Sequence, residues 1–314
     1  IFYGLTILIV GQFLSYNFSS ILLFSGSLAV CDYIRGKILT GFPWNLWGYS
    51  LSWFEEILQM LNLVGLFTFN LLIITVFTIP ALIFFKGTRS KKITILSITL
   101  VIVFLVYIYG NSSINKDKKL LENLDNNSKV YTKVISPSFQ LQYHSSIDEI
   151  EDKLKKLIRY SDPDPRKKTL FIWPEGVFTG YSYNEISQFK ELVKDKFTKN
   201  HMILFGINTS LDESKNNFNS LVVVDNKFKI LYQYNKKKLV PFGEFLPFEN
   251  FLNRFGLKKI TQGYGSFSKG KLQKNIRIEK LNILPLICYE IIFTELIQKS
   301  ENKTNLIINI SEDA

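Results

Sequence analysis

The sequence predicts several membrane-spanning helices followed by a layered α/β domain. The main evidence is the uneven distribution of charged residues along the chain. The 314 residues have a mean hydropathy of +0.10, although 21% of them are charged and the net charge is +11. Residues 1–110 hold six basic and three acidic side chains, whereas residues 111–314 hold 32 and 24. This composition excludes a disordered tail, a collagen-like repeat and a disulfide-stapled miniprotein.

The charge-free stretches of the first part have the length of membrane spans. A helix needs about 20 apolar residues to cross the hydrocarbon core of a bilayer, and the stretches 57–85 and 93–110 reach or approach that length. A third stretch, 1–31, is divided by the polar residues 15–20. Four helices are predicted, at about 1–14, 21–34, 57–85 and 93–110. Buried core helices of a large soluble protein are the alternative.

The short loops predict the orientation of these helices. The connection 86–92 holds four basic residues and no acid, so the positive-inside rule assigns it to the cytoplasm. The helix 93–110 then runs outward, and residues 111–314 lie outside the inner membrane together with the loop 35–56. That loop is rich in aromatic residues, which indicates either an interfacial belt or an arm that handles lipid.

From residue 111 onward, short apolar strands alternate with amphipathic helices, which is typical of an α/β or α+β domain. One helix opens at the capping box Ser146-Ile-Asp-Glu149. Two more helices are predicted at 184–199 and 291–300. Strands are predicted at about 130–136, 169–173, 202–208, 220–225, 228–234, 282–287 and 305–310.

Several classes of site are disfavoured by the motifs that the sequence lacks. It has no P-loop, no GxGxxG and no Cys-x-x-Cys, and His144 and His201 are not spaced as zinc ligands. Cys31 and Cys288 fall in different parts of the chain, which does not suggest a disulfide. Only six of the 38 basic residues are Arg, so nucleic-acid binding is not expected.

Three residues at predicted strand ends could carry chemistry. Glu175 follows an apolar strand and a proline, where burial would raise its pKa toward that of a useful base; a structural carboxylate is the alternative. Lys236 opens a run of three lysines that could equally be a solvated strand end. Cys288 lies where a strand turns into a helix, so amide groups and the helix dipole could stabilise a thiolate, or it is a small buried hydrophobe.

Taken together, these residues resemble the nitrilase superfamily, which uses a Glu, a Lys and a Cys at successive strand ends. Longer motifs resemble one membrane-embedded family within it, the apolipoprotein N-acyltransferases. They are Trp173-Pro-Glu175, Lys236-x-x-Leu-Val-Pro-Phe-Gly-Glu244, Cys288-Tyr-Glu290 and Thr40-Gly-Phe-Pro-Trp44-Asn. The resemblance extends from the membrane part to residue 314.

The resemblance implies a nitrilase-like αββα sandwich and a role for each matching residue. Glu175 is expected to be the base, Lys236 to stabilise the oxyanion and Cys288 to be the nucleophile. Glu244 is expected to orient Lys236, while Tyr289 and Glu290 shape the oxyanion region; ordinary strand-end ion pairs are the alternative for these acids. No cofactor and no metal are expected.

The implied reaction is a ping-pong acyl transfer that passes through a thioester on Cys288. Its donor is a phospholipid, expected to be phosphatidylethanolamine, and its acceptor is the α-amine of the diacylglyceryl-cysteine of an apolipoprotein. The implied location is the bacterial inner (plasma) membrane, crossed several times, with the catalytic domain on the periplasmic side. A membrane-tethered carbon-nitrogen hydrolase (amidase) and an inactive membrane scaffold are the alternatives.

The sequence also departs from the family pattern at its last residues. The family usually continues as Ser-Asn-Asp-Ala-Trp-Phe, whereas this chain ends Ser311-Glu312-Asp313-Ala314, with Glu at the Asn position. We therefore expect a membrane region at 1–110 and a C-terminally incomplete catalytic domain at 111–314. The sequence opens without Met on a helix of about 21 Å, so the start of that helix is also expected to lie outside it.

Overall fold

The computed structural model describes residues 1–38, 41, 43–122, 130–140, 145–210, 216–248, 266–271, 274–298 and 304–312. The chain divides into two compact units, 1–126 and 127–314, and each is described by itself. Thr40 and Phe42 of the aromatic-loop motif, and His144, lie outside the described residues.

The first unit is helical. Its α-helices are α1 (Phe2–Val10), α2 (Phe18–Arg35), α3 (Glu55–Leu58), α4 (Met60–Val64), α5 (Leu66–Thr78) and α6 (Arg89–Glu122). Short 3₁₀ helices span Gly11–Phe13, Trp47–Leu51 and Ile79–Phe84. Three helical stretches of the described chain are long and apolar enough to cross a membrane, namely Phe18–Arg35, Leu66–Phe84 and Arg89–Leu120.

Two of the predicted helices have different bounds in the structure. The stretch 57–85 is not one helix, because Gly65 adopts φ +73° and ψ 169° between α4 and α5. The helix predicted at 93–110 runs from Arg89 to Glu122. A charge-free stretch indicates how much of a helix can lie in hydrocarbon, but the helix itself can continue into polar residues at both ends. Consequently the two compact units divide after residue 126, whereas the predicted boundary was 110.

A buried polar network joins the helices of the first unit. Asp32 in α2 has no exposed surface, and its Oδ1 accepts hydrogen bonds from the Tyr3 hydroxyl at 2.6 Å and Arg35 Nη2 at 2.8 Å. Its Oδ2 accepts from Asn70 Nδ2 at 2.8 Å, and Asn70 Oδ1 accepts the backbone N–H of Gly48 at 3.0 Å. The network therefore ties α1, α2 and α5 to the 3₁₀ helix of the aromatic loop.

The second unit contains two sheets. The larger has the strand order β1 (Tyr131–Val134), β2 (Thr169–Ile172), β3 (His201–Ser210), β4 (Asn217–Val224), β5 (Ile230–Asn235); β1, β2 and β3 are parallel, and β4 and β5 continue antiparallel. The smaller consists of β6 (Ile276–Ile278), β7 (Leu281–Ile287) and β8 (Leu306–Ile310), with β7 parallel to β8. The sequence did not predict β6.

Four α-helices of the second unit are described: α7 (Ile147–Ser161), α8 (Tyr183–Ile186), α9 (Lys190–Lys194) and α10 (Thr294–Gln298). The capping box at Ser146 opens α7 as predicted. The helix predicted at 184–199 is broken at Phe189, whose ψ of 12° leaves the helical range. The helix predicted at 291–300 starts only at Thr294, because Phe293 is extended and separates α10 from a 3₁₀ helix at Cys288–Ile292.

The apolar cores arrange these elements in four layers. Side chains of α7, such as Leu154, pack on one face of the larger sheet through Phe171 and Phe205. The other face of that sheet meets the smaller sheet, where Leu221 and Ile283 belong to one cluster. A third cluster joins the outer face of the smaller sheet to α10; its buried members are Leu284, Leu286, Tyr289, Phe293 and Leu296. This is the predicted αββα sandwich, and the prediction of the fold is confirmed.

The ends of strands from both sheets meet at one place. Beyond β2, the backbone N–H of Glu175 donates to the carbonyl of Ser311, just after β8, at 3.1 Å. Gly206 in β3 permits this approach, because a Cβ there would lie 3.0 Å from the Cα of Glu175 and 3.1 Å from Ile310 Cδ1. The segment after β2 is thus held between the two sheets.

Candidate active site

Glu175 is a largely buried carboxylate whose two oxygens have different surroundings. Its Oε1 accepts a hydrogen bond from Asn219 Nδ2 at 2.9 Å. Its Oε2 is buried and has no hydrogen-bond partner among the described residues. Burial raises the pKa of Glu175, and the charge of Lys236 and the Asn219 amide only partly oppose that rise. A carboxylate with a free oxygen and a raised pKa is suited to accept a proton.

Lys236, directly after β5, is a buried ammonium held between two acids. Its side chain is 1% exposed, and its Nζ lies 2.9 Å from Glu244 Oε1 and 3.7 Å from Glu175 Oε1. Burial lowers the pKa of Lys236, but the two carboxylates more than offset this, so the net pKa is raised. Its Nζ also lies 5.6 Å from the centre of the Tyr289 ring. Lys236 is therefore a fixed positive charge and not a solvated strand end.

Asn219 in β4 is a site residue that the sequence did not predict. Its Nδ2 donates to Glu175 Oε1 at 2.9 Å and to Glu244 Oε1 at 2.7 Å, so one amide bridges the two acids around Lys236. Its carbonyl accepts the backbone N–H of Lys236 at 2.9 Å. The strand predicted at 220–225 starts three positions later than β4, which begins at Asn217, and therefore leaves Asn219 out. The available signal was a polar residue next to the strand that pairs with the one before Lys236.

Cys288 follows β7 and occupies an unusual backbone conformation. Its φ is +54°, in the left-handed region that costs a residue with a Cβ about 1 to 2 kcal/mol. Burial raises the pKa of the thiol and the charge of Glu175 raises it further, against the opposing effects of Lys236 and of the Tyr289 backbone N–H. The helix that follows Cys288 is a five-residue 3₁₀ helix, and although the Tyr289 amide lowers the thiol pKa as expected, the net pKa is raised. The thiol needs a base.

Glu290 connects the segments that carry Lys236 and Cys288. It is fully buried and accepts the backbone N–H groups of Lys237, Lys238 and Ile287 at 2.8, 3.0 and 2.9 Å. The hydroxyl of Tyr234 also donates to both of its oxygens, at 3.1 and 3.0 Å. Because these donors occupy both oxygens, the geometry favours a role in holding the two segments together.

Tyr289 and Glu244 complete the surroundings of Lys236. The Tyr289 hydroxyl donates to the carbonyl of Leu239 at 2.6 Å, which fixes its ring beside the ammonium. Glu244 Oε2 accepts the backbone N–H of Val240 at 2.8 Å, while its Oε1 faces Lys236. The predicted role of Glu244 in orienting Lys236 agrees with this geometry and stays a prediction.

His201 has a structural environment. His201 is buried, with Nδ1 accepting from the Thr198 backbone N–H at 3.0 Å and Nε2 2.9 Å from the carbonyl of Asp164. In the part of the chain that the structure describes, no group of three His, Cys, Asp or Glu side chains is arranged to hold a metal ion. The site therefore offers a base, a fixed cation and a thiol.

The αββα layers agree with the nitrilase-like fold that the sequence motifs imply. Residues 138–314 match the carbon-nitrogen hydrolase family, and the chain belongs to that family. Residues 1–79 match the apolipoprotein N-acyltransferase N-terminal domain, which confirms the resemblance given by the sequence motifs.

Curated relatives are similar to both parts of the chain. The chain is 27% identical over 301 residues to an apolipoprotein N-acyltransferase of Rhodopseudomonas palustris, and the match covers 91% of this chain and 55% of the relative. It is 29% identical over 291 residues to the one of Rickettsia prowazekii, covering 90% and 55%. The chain thus spans little more than half the length of these relatives. A carbon-nitrogen hydrolase structure from Helicobacter pylori is 18% identical, with a TM-score of 0.39, over 58% of this chain and 59% of the other.

Proposed function

We propose that this chain forms the core of a phospholipid-dependent N-acyltransferase that modifies apolipoproteins. One observation carries the proposal: a single chain joins an apolipoprotein N-acyltransferase N-terminal domain to a carbon-nitrogen hydrolase unit in which Glu175, Lys236 and Asn219 converge beside Cys288. The presence of helices long enough to cross a membrane supports the proposal that the substrate resides in lipid.

The first half of the reaction makes a thioester. The free Oε2 of Glu175 accepts the proton of the Cys288 thiol, and the sulfur attacks the sn-1 ester carbonyl of a phospholipid, expected to be phosphatidylethanolamine. The ammonium of Lys236 stabilises the negative oxygen of the tetrahedral intermediate. When the intermediate collapses, the C–O bond breaks, Glu175 returns its proton to the leaving lysophospholipid, and the acyl group remains on sulfur.

The second half transfers the acyl group to nitrogen. The neutral α-amine of a diacylglyceryl-cysteine attacks the thioester carbonyl, and Glu175 accepts the proton that this nitrogen loses. The C–S bond then breaks, the proton returns to the sulfur of Cys288, and an amide is released. The site residues carry every proton in this sequence, so neither a metal nor a nucleotide is required.

The surrounding groups act through Lys236 and Cys288. Glu244 and Asn219 hold the ammonium of Lys236 in one position, and Tyr289 closes one side of it. Glu290 keeps the lysine segment joined to the cysteine turn. Such fixed donors and charges lower the cost of reorganisation when the oxyanion forms.

The proposed membrane arrangement follows from the basic loop 86–92. With that loop in the bacterial cytoplasm, the chain after α6 lies on the periplasmic side of the inner membrane. The unit 1–126 then supplies the membrane helices and the unit 127–314 the catalytic domain. A donor and an acceptor that are both anchored in a bilayer require an active site held at its surface.

A membrane-tethered amidase is the second candidate, favoured by the carbon-nitrogen hydrolase match itself. Incubation of the full-length protein with acyl-labelled phosphatidylethanolamine and a diacylated lipopeptide separates the two. The proposal expects an N-acylated lipopeptide together with lysophospholipid. Release of ammonia from small amides without N-acylated lipopeptide would instead identify a hydrolase, and inactivity in both assays would indicate a scaffold.

A further inference from the structure

A third carboxylate, that of Glu312, lies at the edge of the candidate active site. It follows β8, and the carbonyl of the preceding Ser311 accepts the backbone N–H of Glu175 at 3.1 Å. A Cβ on Gly176 would stand 2.8 Å from Glu312 Cγ and 2.9 Å from its Oε1. Gly176 has φ +76°, so the turn after Glu175 leaves room for this side chain.

The Glu312 carboxylate is accessible and forms no ion pair with a cation of the described residues. Residue 312 is exposed, and within the described chain no hydrogen bond or ion pair involves its carboxylate. Lys236 directs its ammonium at Glu244 and Glu175, at 2.9 and 3.7 Å. Glu312 therefore keeps both of its oxygens available to a group from outside.

The charge of the site favours a cation at this position. Among the described residues, the carboxylates of Glu175, Glu244 and Glu312 interact with the ammonium of Lys236. Partial burial raises the pKa of Glu312 and Glu244 raises it further, while Lys236 lowers it, so these charges interact. An excess of charge of one sign attracts ligands of the opposite sign. No group fit to hold a metal ion occurs in the described residues, which leaves an organic cation.

We infer that Glu312 receives the primary ammonium group of a substrate through a charge-assisted hydrogen bond. The inference rests on the proposed function, because that function has two substrates with such a group. One is the ethanolamine headgroup of the phospholipid donor, and the other is the α-amine of the lipopeptide acceptor before it loses its proton. Glu312 is then a specificity-determining residue beside the turn that follows Glu175.

The test compares the natural full-length protein with Glu312→Gln in two arms. The donor arm measures the rate of Cys288 acylation from phosphatidylethanolamine and from phosphatidylglycerol with the same acyl chains. The acceptor arm measures transfer from the acylated enzyme to a diacylated lipopeptide and to hydroxylamine, which is neutral near pH 7. We expect Glu312→Gln to lower one of the two rate ratios by about tenfold, since a hydrogen bond between ionic groups is lost.

The ratio that changes identifies the source of the ammonium. A lower ratio of phosphatidylethanolamine to phosphatidylglycerol assigns Glu312 to the donor, and a lower ratio of lipopeptide to hydroxylamine assigns it to the acceptor. If both ratios stay at the wild-type value, the inference is overturned. A wild-type protein that forms neither thioester nor N-acyl product would instead refute the proposed function.

Control variants separate recognition from general damage. Glu191→Gln removes an exposed carboxylate of α9 whose described ion pair is with Lys194, and both ratios should stay unchanged. Glu312→Asp keeps the charge and should keep the wild-type ratio within about threefold. If Glu312→Gln fails to fold, the wild-type protein is given phosphatidylethanolamine with an N-acetylated headgroup and an N-acetylated lipopeptide as competitor. Equal use of the acetylated and free donors, with no weaker competition by the acetylated peptide, would also overturn the inference.

Discussion

Each unit of the chain contains a buried ionic network, and the two networks differ in how completely the central carboxylate is hydrogen-bonded. Around Asp32 in the first unit, both carboxylate oxygens accept hydrogen bonds, from Tyr3, Arg35 and Asn70. Around Glu175 in the second unit, one oxygen is bound by Asn219 and the other is buried without a partner in the described chain. A buried carboxylate with hydrogen bonds to both oxygens stabilises one arrangement, whereas a buried oxygen without a hydrogen bond destabilises the folded state.

The difference supports a structural role for the Asp32 network and the proposed catalytic role of the Glu175 network. The Asp32 network also holds the aromatic loop, because Arg35 Nη1 donates to the carbonyl of Trp44 at 2.7 Å. The Glu175 network instead lies beside a cysteine with φ +54°. Strained backbone and unpaired polar atoms persist where the surrounding fold enforces them, and such features concentrate at functional sites.

Removal of the Lys236 ammonium is expected to have the largest effect on the rate of acylation. Lys236→Met keeps most of the side-chain volume but leaves Glu175 and Glu244 without their cation. We expect the rate of Cys288 acylation to fall by about 10³-fold, because the oxyanion loses its stabilising charge. Single-turnover acylation by labelled phospholipid measures it. Lys238→Met, in the same lysine run but paired with Glu295 at 2.9 Å, should stay within about threefold. Equal losses in the two variants would contradict the assignment.

Removal of the Asp32 carboxylate should lower the stability of the protein. Asp32→Ala leaves Arg35 buried without its acid, at a cost of about 3 kcal/mol. Denaturation in lipid or detergent should therefore occur at lower temperature than for wild type, and acylation per folded molecule should stay within about threefold. A folded Asp32→Ala protein that cannot acylate Cys288 would mean that the first network also serves the reaction.

The pH dependence of acylation tests the role of Glu175. Glu175 accepts a proton only as a carboxylate, and burial raises its pKa, so the acylation rate should fall as pH drops through that raised value. The acid limb should lie at a higher pH than an ordinary glutamate gives. Loss of the nearby cation in Lys236→Met should move it higher still. A rate that rises tenfold per pH unit to alkaline pH, without a plateau, would show attack by free thiolate instead.

The strain at Cys288 gives the smallest expected effect. Glycine accepts φ +54° without the cost that a Cβ imposes, whereas alanine retains that cost. Cys288→Gly should therefore be more stable than Cys288→Ala by about 1 kcal/mol, partly reduced by the greater entropy of unfolded glycine. Equilibrium unfolding of the two inactive variants measures the difference. A less stable glycine variant would indicate that this turn is not strained.

The family resemblance of the motifs implies the αββα layers, and the positions of Glu175, Lys236 and Cys288 shortly after strands predict that these residues converge. Other features depend on contacts that no local pattern encodes. Asn219 acquires its role only when β4 brings it between two acids, and the raised thiol pKa of Cys288 arises from burial and from Glu175. The Asp32 network joins residues 29 and 38 positions apart, so its partners could not be paired from the sequence.

The central claim is that Cys288 carries the acyl group, and trapping the acyl-enzyme tests it most directly. Full-length protein is incubated with acyl-labelled phosphatidylethanolamine without acceptor, quenched in acid and examined for a label that hydroxylamine removes. The account predicts a thioester in wild type and in Cys31→Ala, which lacks the other described free cysteine, and none in Cys288→Ala. A hydroxylamine-sensitive adduct that persists in Cys288→Ala would contradict it.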